Sequence, residues 1–227
     1  MLVSGLEKSV YGLEQIGAWI QKRVSERLKD VPPDQIVEPD ARIAVPATQA
    51  LIYSMNDELI REMFASLLAA DMNAATKEKV HPAFVEMIRQ MTRPDAEVLK
   101  VIKARPEVEF LARLQFYLPQ RGFKEVGLGF SFEISDHDDL KVTRAISNLK
   151  RLEIVESRRD EWPMRDDLGD LEEKFRAHFR DFVTRINTSD ETKRNMGIVG
   201  NVNLFVEKTG LYLTPLGVDF ANICIPG

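Results

Sequence analysis

The 227-residue chain contains one cysteine, Cys224, which excludes a disulfide framework. No apolar run approaches the roughly 18–20 residues that a membrane-spanning helix needs. The opening Met1-Leu2-Val3-Ser4-Gly5-Leu6-Glu7-Lys8 lacks the apolar stretch of a secretory signal, so a cytoplasmic protein without membrane attachment is the expectation. There are three histidines, His81, His137 and His178, and none stands in the i, i+3 or i, i+4 pairing that places two ligands on one helix face. Glycine motifs are equally sparse. Val126-Gly127-Leu128-Gly129-Phe130 holds a Gly-x-Gly without a third glycine, and neither a P-loop nor a Gly-x-Ser-x-Gly elbow occurs. Neighbouring carboxylates such as Asp138-Asp139 and Asp166-Asp167 point apart along a chain and read as solvated faces and caps. Cys224, between Ile223 and Ile225 with no basic neighbour in sequence, reads as a buried inert thiol. These absences assign no catalytic residue, no metal ligand and no cofactor, and leave no evident small-molecule substrate.

What is present is an ordinary globular composition, 44% hydrophobic and 30% charged, with a net charge of −5. The length suits one large domain or two small ones. The apolar positions Leu6, Val10, Leu13, Gly17, Ile20 and Val24 recur at helical spacing, apart from Gly17. They predict a first helix that either packs on its own domain or forms a short coiled-coil seam. Pro32-Pro33-Asp34 ends it. Further helices are expected over Arg42 to Tyr53 and from an N-cap at Asn56 to about Met72. A short helix opens at His81-Pro82, with Phe84, Met87, Ile88 and Met91 on one face, and another follows Thr92-Arg93-Pro94-Asp95.

Beyond Thr92 the pattern changes. Arg105 to Glu133 reads as helix followed by loop, and Leu140, Val142, Ala145, Ile146, Leu149 and Leu152 mark a helix that starts within Asp136 to Asp139. Ile154-Val155 reads as a strand. Leu168, Leu171, Phe175, Phe179, Phe182 and Ile186 mark an amphipathic helix, and Asn187 to Asn195 reads as a polar, mobile connection. Asn203 to Val206 and Leu211 to Leu213, around Gly210, predict a hairpin, with a last helix opening at Thr214-Pro215. The expected fold is mainly α. It comprises an N-terminal helical domain, 1–91, and a winged-helix-like C-terminal domain, 92–227, with a short β-hairpin and a helical insert at about 160–200.

One segment departs from the acidic average. Leu140 to Arg159 carries Lys141, Arg144, Lys150, Arg151, Arg158 and Arg159 against Glu153 and Glu156, a local balance of +4. The order helix, strand, later hairpin and Leu-Thr-Pro-Leu-Gly resembles a winged helix-turn-helix, in which basic residues on helix and wing contact phosphates and base edges. Glu153 occupies the place where such proteins carry a helix-terminating glycine. The wing is split by the insert, and Asp136, Asp138 and Asp139 stand at the helix end that would face a phosphate. These six basic residues are the candidate nucleic-acid contacts of a DNA-binding reading. The alternative is that the module packs or binds a protein partner.

Five stretches together resemble one family. They are Pro32-Pro33-Asp34-Gln35-Ile36-Val37-Glu38-Pro39, Asp57 to Ala69, Val80-His81-Pro82-Ala83-Phe84-Val85-Glu86-Met87-Ile88, Asn148-Leu149-Lys150-Arg151-Leu152 and Leu213-Thr214-Pro215-Leu216-Gly217. They are similar to the abortive-infection alpha (Abi-alpha) proteins, a bacterial family described as a domain of unknown function. The resemblance implies a part in antiphage defence and brings no catalytic residues. The expectation is therefore a non-enzymatic protein that binds a phage or host protein or itself, through the first helix and the charged helix Leu168 to Ile186. A winged-helix DNA-binding regulator is the alternative, and a toxin-like nuclease a third reading.

Overall fold

The computed structural model describes residues 12–105, 107–130, 139–159, 161, 166 and 168–225. It is mainly helical, with one small sheet. In chain order the elements are α1 (Gly12–Leu28), α2 (Ala41–Ser54), α3 (Glu58–Asp71), α4 (Ala83–Arg89), α5 (Arg93–Ala104), β1 (Glu107–Leu118), β2 (Gly122–Phe130), α6 (Asp139–Arg151), β3 (Val155–Arg158), α7 (Leu168–Thr188), α8 (Asp190–Met196), β4 (Val199–Leu213) and α9 (Pro215–Cys224). Chain contacts divide them into two units. The first holds residues up to Lys103, Asn148–Ile154 and Leu213 onward; the second holds Ala104–Ser147 and Val155–Tyr212. Thus α5, grouped with the C-terminal part by composition, belongs with the N-terminal helices.

In the first unit α3 is central, lying against α1, α2, α4 and α9. Its Met63, Phe64 and Leu67 are fully buried, as are Leu51, Phe84, Ile88, Leu99, Leu149 and Phe220. Phe84 meets Phe220 edge to face at 5.2 Å between ring centroids, a favoured aromatic geometry. The helix starts carry their own caps. Asp57, not the expected Asn56, takes the extended cap conformation and accepts from the amides of Leu59 and Ile60. At α5 the Asp95 carboxylate accepts from both the amide (2.6 Å) and the hydroxyl (2.9 Å) of Thr92. Of the first helix's predicted face, Leu6, Val10 and the side chain of Leu13 lie outside the described residues, Val24 is buried, Ile20 half-buried and Gly17 exposed; Ile16 and Leu28, which the prediction did not include, are buried as well. A carboxylate clamps this helix to α3. Glu62 accepts from Arg23 Nε at 2.7 Å and Arg27 Nη2 at 2.5 Å.

The return segments close the unit. At the end of α6 the amide of Ile154 donates to Leu149 O and that of Glu153 to Lys150 O, the crossed pair of a Schellman turn. Glu153 sits at the left-handed position with φ 57°, where glycine is the usual occupant. Thr214 then caps α9 and joins it to this turn: its amide donates to Ile154 O and its hydroxyl to Glu153 O. Gly217 lies so close that a Cβ there would collide with the Ile154 carbonyl.

The second unit contains a four-stranded sheet in the order β2-β1-β4-β3. Three expectations are corrected here. Over 105–133 the described residues form not helix and loop but the antiparallel pair β1-β2, running from Phe110↔Phe130 to Leu118↔Gly122. The reason is period two: Leu114, Phe116 and Leu118 pack one face against Val183 and Ile186 of α7, together with Ile198, Val202 and Leu204. The short hairpin expected around Gly210 is instead one 15-residue strand, β4. Gly210 does not turn the chain; its missing Cβ makes room for the carbonyl of Glu161. Finally, the polar stretch Asn187 to Asn195 holds α8, capped by the Ser189 hydroxyl and ended by Gly197 at φ 67°. The amphipathic helix over Leu168 to Ile186 forms as α7, with Phe175, Phe179 and Ile186 buried and Phe182 exposed.

Two outcomes follow for stability. Glu153→Gly removes the left-handed penalty without touching the Thr214 bond, which uses the main-chain carbonyl, and raises unfolding free energy by about 1 kcal/mol. Gly217→Ala forces α9 away from Ile154 and lowers it by roughly 1–3 kcal/mol. Urea unfolding followed by circular dichroism measures both. Burial raises the Glu62 carboxyl, but the hydrogen bonds from Arg23 and Arg27 outweigh it and hold the group below its ordinary range. Its contribution is then complete above about pH 4.3 and disappears as pH falls through the lowered value. Glu62→Gln is accordingly less stable than the native chain at pH 7, by on the order of 2 kcal/mol, and the gap closes in acid.

Candidate functional site

The residues that the sequence offers for chemistry are occupied with structure. His81 Nδ1 accepts from the Ala83 amide at 3.1 Å and its ring leans on Phe84, so it serves as the acceptor at the start of α4. His137 lies outside the described residues, as does the side chain of His178. Among the described residues no three His, Cys, Asp or Glu groups gather to hold a metal. Cys224 is fully buried, and burial pushes its thiol well above the ordinary range, with Lys103 opposing in part. A thiol held protonated is a poor nucleophile. Asp95, besides capping α5, accepts from Asn148 Nδ2 at 3.0 Å, and the buried Asp71 accepts from the Asp40 amide at 2.7 Å.

The six candidate nucleic-acid contacts are placed as follows. Lys141 and Arg144 lie one turn apart on the exposed side of α6, opposite Val142, Ala145 and Ile146, while Lys150 is half-buried. Arg151 donates to Asn148 Oδ1 at 2.7 Å and Gln90 Oε1 at 2.8 Å. Arg158, on β3, pairs with Glu156 at 2.7 Å and Glu161 at 3.2 Å and lies over the Tyr212 ring. Arg159 faces Glu207 at 3.6 Å. Arg158 and Arg159 are thus already opposed by carboxylates, with which a phosphate would have to compete.

The two surfaces expected to associate differ. The described apolar positions of α1 are turned inward, and Arg23 and Arg27 bind Glu62. On α7, Glu172 is paired with Arg176 and Lys208, and Glu173 with Arg180, while Phe182 remains exposed. A shallow hollow of about 390 Å³ opens beside Arg27, Ser66, Asn73, Thr76 and Asn222. Within its polar walls Arg27 Nε donates to Ser66 Oγ, and the Thr76 hydroxyl to Ala70 O.

The sheet presents what sequence reasoning missed. Phe123 stands opposite Tyr117, and Tyr117 opposite Val199, so three adjacent strands place these side chains in one row. Phe123 is 72% exposed, Val199 54%, Phe205 51% and Tyr117 38%. The available signal was the alternation of Gln115 and Tyr117 with Leu114, Phe116 and Leu118, hidden while the segment was read as a helix.

No curated protein matches. One solved structure, an uncharacterized protein from the hydrocarbon-degrading marine bacterium Alcanivorax borkumensis SK2, is similar at a TM-score of 0.36 and 12% identity, covering 66% of this chain and 94% of that one. The abortive infection alpha family matches residues 12–224. All five stretches that carry the resemblance fall in the first unit, where they supply the buried face of α3, the start of α4, the Schellman turn and the Thr214 cap. The chain belongs to the abortive infection alpha family.

Proposed function

We propose that the protein serves abortive infection as a non-enzymatic binding module that engages a phage or host protein, or a second copy of itself. The supporting observation is how the buried reactive groups are used. Glu62, Asp71, Asp95 and Cys224 are committed to helix clamps, caps and core, and converge on no shared hollow. Of the two association surfaces, α7 is the better placed. Its Phe182 is exposed, and the same helix carries ion-paired charges of both signs, as a surface with apolar and polar contacts would. Cytoplasmic action is part of the same reading.

The second reading is a DNA-binding regulator. It rests on the order α5, α6, β3, β4, α9, taken as a winged helix with an enlarged wing, and on the exposed Lys141 and Arg144. The carboxylates on Arg158 and Arg159 count against it.

Phage plaque counts on cells carrying the native protein or Phe182→Asp test the first reading, with light scattering reporting the mass of each purified form. Loss of protection in the variant, at unchanged thermal stability, is expected. Full protection would overturn a role for α7. Titration of a mixed duplex pool at two salt concentrations separates the readings. Salt-sensitive binding that is lost in Lys141→Ala/Arg144→Ala supports the regulator, and its absence at low salt removes it.

A further inference from the structure

The hollow beside Arg27 is bordered by α1, α3 and α9 and holds about 390 Å³, at the lower end of the roughly 300–1,000 Å³ of small-molecule sites. Its apolar lining is Leu28, Ala69, Ile223 and Ile225. All four are core residues, so packing holds them in place before any ligand arrives. They come from three helices and the residue that follows the last of them, and an occupant would touch both ends of the first unit.

The polar residues around the hollow point to the chemistry of that occupant. Among the described residues that line it, Arg27 alone is charged. Its guanidinium donates to Ser66 Oγ at 3.2 Å, Arg23 O at 3.4 Å and Glu62 Oε2 at 2.5 Å, which uses three of its five N–H groups and leaves two. Glu62 is its one carboxylate partner and is shared with Arg23. The Ser66 hydroxyl accepts from Arg27 and keeps its own hydrogen to donate. Asn73 Oδ1 accepts from the Ala75 amide at 3.0 Å, which identifies Nδ2 as the end left over. The exposed Asn222 carboxamide forms no hydrogen bond with the described residues. Donors therefore outnumber acceptors, beside a cation, in a chain of net charge −5. A metal ion or an ammonium group finds no carboxylate in this lining, whereas an oxyanion finds several donors and a guanidinium that matches its geometry.

We propose that this hollow binds a small organic anion, with a carboxylate or phosphate head on an apolar body. The head accepts from Arg27, Ser66 and the two asparagines, and the body lies against Leu28, Ile223 and Ile225. This goes beyond the protein-association reading, does not depend on it, and uses a different part of the molecule.

Calorimetric titration and thermal melting of the full chain test the proposal, with hexanoate and hexyl phosphate as probes and hexylamine, hexanol and inorganic phosphate as controls. Saturable one-to-one binding of at least one of the two amphiphilic anions is expected, with a rise in melting temperature that the controls do not produce. The tighter of the two identifies the natural head group. Ser66→Ala and Asn222→Leu each weaken that binding by roughly 10-fold or more, the loss of a hydrogen bond to a charged group. Asn222 is exposed and unbonded, so its variant melts like the native chain when no anion is present, which shows that the loss is one of binding. In a heteronuclear NMR titration the side-chain amide signals of Asn73 and Asn222 shift with the anion. Three results would overturn the proposal: no saturable binding of either anion, equal binding of hexylamine or hexanol, or binding that neither variant weakens.

Discussion

The first unit depends on one carbonyl. Ile154 O, at the Schellman turn that ends α6, accepts from the Thr214 amide and lies where a Cβ on Gly217 would stand. Two segments far apart in sequence, Asn148–Ile154 and Leu213 onward, thereby join the N-terminal helices in a single core. Asn148 completes the tie by donating to Gln90 O and to the Asp95 carboxylate. A main-chain oxygen shared in this way admits little variation in the residues around it. The conjunction explains why Asn148 to Leu152 and Leu213 to Gly217 stand out as motifs although neither carries chemistry.

The same economy runs through the buried polar groups. A carboxylate removed from water has to be repaid by donors, and each one here receives them: Glu62 from two arginines, Asp95 from a threonine and an asparagine, Asp71 from a backbone amide. The motif stretches of the chain are therefore those of a scaffold. What is left for recognition lies on surfaces; among the exposed aromatic residues, Tyr53 belongs to the first unit and Tyr117, Phe123, Phe182 and Phe205 to the second. The binding role proposed above for this abortive infection alpha protein rests on this division between committed interior and uncommitted face.

Helices were legible in the sequence wherever a cap and a 3.6-residue period coincided. Thr92 with Asp95, and Thr214 with Pro215, announce their helices because the capping atoms and the apolar face lie within one or two turns. Even there, Asn56 and Asp57 compete for the same cap, and only backbone conformation selects Asp57. Strands were harder to read. Leu114, Phe116 and Leu118 fit period two, but Leu111, Leu114 and Leu118 also fit a helix, and β1 becomes a strand through pairing with β2 and β4. Gly210 looked like a turn because sequence cannot show that Glu161 backs onto it.

By itself, then, the sequence determined the helical character of the first unit, the caps at Thr92 and Thr214, the burial of Cys224 and the family, since each depends on residues near one another in the chain or on a pattern of types. It also picked out the cations Lys141, Arg144, Lys150, Arg151, Arg158 and Arg159. Whether their charge is opposed was decided only by folding, which brings Glu207 to Arg159. Tertiary structure alone likewise aligned Phe123, Tyr117 and Val199 in one row. Strand register is set by hydrogen bonds between distant segments, and a slip of one residue would turn every one of those side chains to the other face.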